Sequence, residues 1–350
     1  MDIRKLLITL SCCLCWGCAT DYCPDSGKGL GNTCGQGTST TNATASGTGQ
    51  MVVSNSGNAN LARFASASTT QGDVLPVTFV RGALTRLSAP GYLTLDATND
   101  RLYVPNSGDN SILVFEKISQ ATENTPPTRF IQGAGTLLSG PSQVVLDTTN
   151  DLLYVANSAS SSVVVFSSAS TIQGNVAPAR TLSGAATQIT GVSSIHLDTA
   201  NNRLWVVNPT NNALLVFDSA STLNGAVPPV RVVSGANTLL AAPQFILQTG
   251  TRLYISCTGS ILRFEGADAL TGNIVPTANI TGGLTALVNP RQLVYRADVD
   301  ELYVADGGAS AVFVFSTAST ANGAPPPVRR LLGANTGFAG LQGMALDFSR

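Results

Sequence analysis

Three residue types keep one spacing six times over, and that repetition constrains the fold more than any other feature of the chain. Phe64, Phe115, Phe166, Phe217, Phe264 and Phe315 are separated by 51, 51, 51, 47 and 51 residues. Pro76, Pro127, Pro178, Pro229, Pro276 and Pro327 keep the same intervals, as do Gly82, Gly133, Gly184, Gly235, Gly282 and Gly333. Self-similarity at a fixed period marks an architecture in which each unit buries its apolar face against its neighbours.

One complete unit contains four strand-like runs: Gln143 to Asp147, Leu152 to Ala156, Ser162 to Phe166, and Ala179 to Leu182. Short apolar runs bounded by turn residues read as strands. The first connection, Asp147-Thr148-Thr149-Asn150-Asp151, carries side chains that bond their own backbone in turns. Four antiparallel strands at this period describe a propeller blade, whereas a solenoid uses shorter repeats and leaves its ends open. The first unit begins at Met51-Val52-Val53 and lacks a first strand, and the last consists of a first strand alone, Gly343 to Asp347. Together the two fragments complete one blade. The expectation is an all-β, six-bladed β-propeller of four-stranded antiparallel blades, closed by one C-terminal strand plus three N-terminal strands.

Tyr103, Tyr154, Trp205, Tyr254 and Tyr303 recur in the second strands, in register with the third-strand phenylalanines. That register predicts packing between blades rather than an aromatic binding face. The fourth strand is the outer edge. Its leading proline and Arg129, Arg180, Arg231 and Arg329 are expected to guard that edge against pairing with other chains.

The run Pro141-Ser142-Gln143-Val144-Val145-Leu146-Asp147, followed by Leu152 to Phe166, resembles the NHL-repeat family and related bacterial propellers. Asp306-Gly307-Gly308 matches that family's second turn best, while Asn106, Asn157 and Asn208 replace its Asp and Cys257 departs further. The resemblance covers residues 51–348. It implies the architecture and leaves function open, because one fold hosts many chemistries.

Before the repeats, Arg4 and Lys5 precede an apolar stretch from Leu6 to Cys15, too short to span a membrane as a helix. The segment ends Cys15-Trp16-Gly17-Cys18-Ala19, which resembles the lipobox of bacterial lipoproteins and makes Cys18 the expected lipidation site. The domain reading is a signal peptide over 1–18, a flexible Gly/Ser/Thr linker over 19–49, and the propeller over 50–350. Cys23 and Cys34 in the linker are a candidate disulfide, and Cys257 is expected to be a small buried residue. The expected location is the bacterial cell envelope through a lipid anchor, with secretion as the alternative.

Chemistry is harder to find. Charged residues make up 11% of the chain and the net charge is −1, which excludes the basic footprint of a nucleic-acid binder. Lactonase and gluconolactonase enzymes on six-bladed propellers place metal-ligating side chains around the central channel, so the innermost strands are where a site is expected. Counting back from the recurring Asp positions places Tyr92, Gln143, Ser194, Gln244, Gln292 and Gly343 on the channel rim, with Arg291 one residue before Gln292. Gln and Ser bind ligands through hydrogen bonds but make poor hard-metal sites, so no metal and no cofactor are expected. His196, the lone histidine, aligns with Thr94, Val145, Ile246, Val294 and Ala345 and is expected to pack between blades. Asp96, Asp147, Asp198 and Asp347 recur at one repeat position, as turn caps do.

The leading expectation is therefore a monomeric, non-catalytic binding or scaffold module. Its partner would be a protein or small molecule at the channel mouth, contacted by Tyr92, Gln143, Ser194, Gln244, Arg291 and Gln292. The alternatives are a lactonase-like hydrolase using the central channel and a purely structural envelope component.

Overall fold

The computed structural model describes residues 48–350, so Cys18, Cys23, Cys34 and nearly all of the 19–49 linker lie outside the described residues. The described chain forms six four-stranded antiparallel sheets, joined by loops and short 3-10 turns, with no α-helix among the described residues. Blades 2 to 6 follow in chain order and occupy residues 94–132, 141–182, 194–234, 245–281 and 290–332.

Blade 1 closes the ring as the repeat arithmetic requires. Its inner strand is Leu341–Asp347, paired with Gln50–Asn55, followed by Asn60–Ala65 and Thr78–Val80. Met344 and Leu341 are fully buried in this seam beside Met51 and Val53. The core is a series of clusters between adjacent blades. The second-strand aromatics and third-strand phenylalanines fill them, with Tyr103, Tyr154, Trp205, Tyr254 and Tyr303 all essentially inaccessible. Each tyrosine satisfies its hydroxyl on a carbonyl of the next blade, as Tyr154 Oη does on Ala220 O at 3.2 Å and Tyr254 Oη on Ala318 O at 3.0 Å.

The outer edge is guarded differently from the expectation. In five of the six blades the loop between the third and fourth strands reaches back and bridges the fourth strand of the blade before it, as at Gly174 with Ile131 and Gly225 with Leu182. Gly225 takes φ of 78° to make this contact, a conformation that favours glycine. The arginines are not free edge charges. Arg129 donates to Ile172 O at 3.0 Å, and Arg231 to Asp268 O at 2.8 Å, both in the loop of the next blade. Blades 1 and 5 carry the same device one strand inward. Arg63 and Arg263 lie directly across from Thr78 and Ala278, the positions where the other blades have arginine, and bond Ala121 O and Ala318 O respectively.

Candidate functional site at the channel mouth

The first strands converge on the channel, and at one end they enclose a cavity of about 400 Å³. One residue in or just before each first strand faces it: Gly91, Ser142, Ser193, Gln244, Arg291 and Gln342. Three of these are the extra residues of irregular registers. Ser142 falls between the paired positions Pro141 and Gln143, Arg291 between Pro290 and Leu293, and Gln342 between Leu341 and Gly343. A bulge of this kind re-aims a side chain out of the regular pleat.

Of the residues expected on the rim, Gln244 and Arg291 line the cavity, and Tyr92 forms part of its floor. The other three do not reach it. Gln143, Ser194 and Gln292 are 5%, 0% and 6% exposed, and their polar atoms are spent on neighbouring blades. Ile195 N donates to Gln143 Oε1 at 2.8 Å, and Ile246 N to Ser194 Oγ at 3.3 Å. Gln292 bonds the backbone of Leu93 and Met344. Along a strand alternate residues face opposite ways, so the ring one residue earlier is the ring that faces the cavity.

Gln244 belongs to that earlier ring because blade 5 is shorter than the others. Its hairpins pair Thr249 with Arg252 and Cys257 with Ser260, three residues apart, where blade 4 pairs Asp198 with Arg203 and Asn208 with Ala213, five apart. The two deficits produce the interval of 47. The counterpart of Gln143 is thus Phe245, which pairs with Ser256 as Gln143 pairs with Ala156, and the counterpart of His196 is Leu247, not Ile246.

Tyr92 is 4% exposed and crosses the channel. Its ring meets Phe245 of blade 5, three blades away in the ring of six, edge-to-face at 5.2 Å between centroids. Its hydroxyl donates to Gln244 O at 3.4 Å. Burial raises the Tyr92 pKa, and the Arg291 guanidinium only partly opposes it, so the phenol keeps its proton and remains a donor. Arg291 Nη1 donates to Gln244 Oε1 at 2.5 Å, and Arg291 is the sole charged side chain in the lining. Its buried Nε has no hydrogen-bond partner. Ser142 and Ser193 donate to backbone carbonyls at 3.3 Å, so they present oxygen lone pairs to the cavity. The mouth is a hydroxyl-lined bowl whose one charged group is the guanidinium of Arg291.

Elsewhere the recurring aspartates cap turns, as Asp147 does by accepting from Asn150 N and Nδ2. Cys257 is fully buried, and burial pushes its thiol up to about 12. Among the described residues no three His, Cys, Asp or Glu side chains are grouped to share a metal ion. His196 is only partly buried. It lines a separate cavity, formed by the turns at the opposite ends of the first strands.

A family model described as lactonase, 7-bladed β-propeller, matches residues 29–237. The described residues form six blades rather than seven. No curated protein matches the sequence. Solved structures share the fold at low identity. A chain of a nidogen/laminin complex is 13% identical over 86% of this chain and 99% of its own, with a TM-score of 0.58. A proposed 6-phosphogluconolactonase of Bacteroides fragilis is 13% identical over 85% and 97%, with a TM-score of 0.54. Another from Bacteroides uniformis is 14% identical over 77% and 78%, with a TM-score of 0.52. The family match corrects the expectation of a non-catalytic binding or scaffold module and points to a hydrolytic enzyme. The sequence gives no sign of this, because the rim residues of the innermost strands include neither an acid nor a histidine.

Proposed function

Because the chain belongs to the lactonase family of β-propellers, we propose that it is a lactone hydrolase whose substrate binds in the channel-mouth cavity. The observation that carries this reading is the guanidinium of Arg291, held by Gln244 over a hydroxyl-lined bowl. Water adds to the lactone carbonyl, and Arg291 stabilises the oxyanion that develops. The ring C–O bond then breaks, the leaving oxygen takes a proton, and the product is a hydroxycarboxylate, which the same guanidinium pairs. A single donor aimed at an oxyanion contributes about 10²–10³ in rate. Tyr92 shapes the floor, and the Ser142 and Ser193 oxygens accept hydrogen bonds from substrate hydroxyls. The lining holds no carboxylate or imidazole, so the proton lost by the attacking water goes to solvent.

The test is hydrolysis of a panel of γ- and δ-lactones followed by proton release. Arg291→Ala should lower kcat/KM by about 10²-fold and Arg291→Lys by less. A wild-type rate equal to that of Arg291→Ala on every lactone would overturn the assignment.

We further infer from residues 1–49 a lipid-anchored envelope protein, acylated on Cys18 and tethered by residues 19–49, with the NHL-like repeat pattern carried on this lactonase-family scaffold. Incorporation of labelled palmitate, lost in Cys18→Ala, tests it.

A further inference from the structure

At the end of the channel opposite Arg291, blades 4 and 5 enclose a second cavity of about 390 Å³, as large as the mouth. The equivalent space between blades 2 and 3 measures about 100 Å³, and that between blades 1 and 2 about 10 Å³. The difference follows from chain length. In blade 3 the first hairpin runs from Asp147 to Leu152 and its Thr148 and Asp151 narrow the gap. In blade 5 it runs only from Thr249 to Arg252, and Gly250 stands at its tip. The shortened turn therefore opens a concavity at the one place in the ring that holds an imidazole.

The polar groups around it divide into spent and free. Both oxygens of Asp198 are spent, accepting from Asn201 N at 3.1 Å, Asn201 Nδ2 at 2.8 Å and Gln248 Nε2 at 3.2 Å. Asp268 Oδ1 accepts from Arg203 at 3.1 Å and Asn201 at 3.2 Å. Arg203 is itself paired, with Asp218 at 3.0 Å as well as with Asp268. Free among the described residues are the ring nitrogens of His196, the Oε1 of Gln248, which is buried without a partner, the Oδ2 of Asp268, and the hydroxyls of Thr199 and Thr251. Burial holds the His196 pKa down to about 4, with Asp198 opposing, so the ring is neutral at pH 7 and offers one donor and one acceptor.

We propose that this cavity is a second small-molecule site and that its ligand is a neutral polyol of monosaccharide size. Hydroxyl groups both donate and accept, and they are the groups that match a neutral imidazole, a carboxylate oxygen and two threonine hydroxyls together. An anion meets Asp198 and Asp268, whose nearest cation is already doubly paired. An ammonium ion has only donors and leaves the imidazole N–H unmatched. The volume lies within the range of small-ligand pockets. The two ends of the channel thus select opposite chemistries, the Arg291 mouth favouring developing negative charge and the His196 cavity excluding it.

His196 is the only histidine in the chain, so its imidazole proton resonances report the site without assignment. The full-length protein would be titrated with a panel of neutral hexoses, pentoses and alditols, and with gluconate as the anionic counterpart. The expected result is a saturable shift of the His196 signals by at least one neutral polyol, with a Kd on the order of millimolar. Gluconate should be at least tenfold weaker. Asp268→Asn, an exposed change, should weaken the polyol response while narrowing its margin over gluconate. The proposal is overturned if no neutral polyol shifts the signals, if gluconate shifts them as strongly, or if the response is unchanged in Asp268→Asn. None of these outcomes depends on whether the Arg291 mouth hydrolyses lactones.

Discussion

The side-chain amide of Gln292 pairs with the backbone of Leu93 as a neighbouring strand would. Leu93 N donates to Oε1 at 2.8 Å, and Nε2 donates to the Leu93 carbonyl at 2.8 Å. The two residues belong to blades 6 and 2, and blade 1 lies between them. The reach is possible because the intervening inner strand has Gly343 at that level, where an added Cβ would lie 2.6 Å from Gln292 Oε1 and 2.8 Å from Leu93 N. Met344 N also donates to the same oxygen, at 3.0 Å. One amide therefore ties three blades together at the seam where the chain ends meet.

Replacing Gln292 by Leu leaves two buried N–H groups without acceptors. Each unsatisfied buried group costs about 1–3 kcal/mol. The urea midpoint of Gln292→Leu should fall accordingly, and Gly343→Ala should destabilise by forcing the same amide away. A Gln292→Leu midpoint equal to wild type would mean that the tie contributes nothing to closure.

Deleting residues 341–350 removes the inner strand of blade 1. It strips Met51 and Val53 of Met344 and Leu341, both fully buried, and exposes the Gln50–Asn55 strand as a new edge. Loss of a single buried Leu or Met side chain costs roughly 2–5 kcal/mol. The truncated protein should lose roughly 10 °C or more in Tm. Trimming only Ser349 and Arg350 removes the exposed Arg350 contacts with Ala97 and Asp347 and should have a far smaller effect. Equal melting of the two truncations would refute closure by this strand.

Much of this was legible in the sequence, because the ring repeats one packing problem six times. The phenylalanine, proline and glycine registers follow directly from blades that must meet identical neighbours, and the split blade follows from counting strands. The site was less legible for a geometric reason. Gln143, Ser194 and Gln292 are polar and sit at the innermost strand, yet they face the next blade, and a shift of one residue separates them from Ser142, Ser193 and Arg291. Blade 5 conceals the shift, since Thr249 stands where four other blades have Asp and Gln248 precedes it by one residue. A signal was available in the arginines. Arg63 and Arg263 appear in the two blades whose fourth strand lacks one, which marks the residue as shared between paired strands rather than as an edge charge.

The rim chemistry bears on the pH dependence of the proposed hydrolysis. An enzyme with a histidine or carboxylate base shows a bell or a plateau in kcat/KM set by that group. Here the lining has no histidine or carboxylate, and Tyr92 keeps its proton, its pKa being raised by burial. The rate above background should therefore climb with hydroxide from pH 5 to pH 8 without levelling. A plateau with a midpoint in that interval would assign deprotonation to a protein group and reject the solvent-base mechanism.

His196 governs a different window. Its folded pKa is near 4 because burial disfavours the imidazolium, against about 6.5 in an unfolded chain. Above pH 6.5 the ring is neutral in both states and contributes nothing to the pH dependence. As pH falls from 6.5 to 4 the unfolded chain takes up a proton that the folded chain refuses, so stability declines, and below 4 both states are protonated and the decline stops. Solvent reaching the partly buried ring reduces the full effect to about 2 kcal/mol. Asp198 and Asp347 act lower. Burial alone would raise their pKa values, but hydrogen bonds from Asn201 and Gln248 to Asp198, and from Ser349 and Arg350 to Asp347, outweigh it and hold both below 3.8. The stability they contribute is present above the unfolded carboxylate range and is lost only as pH falls through their own lowered values. His196→Val, which installs the residue that blade 3 has at Val145, should leave stability flat from pH 7 to about 4.5 where the wild-type urea midpoint falls. A His196→Val protein that keeps the wild-type slope would transfer that window to another group.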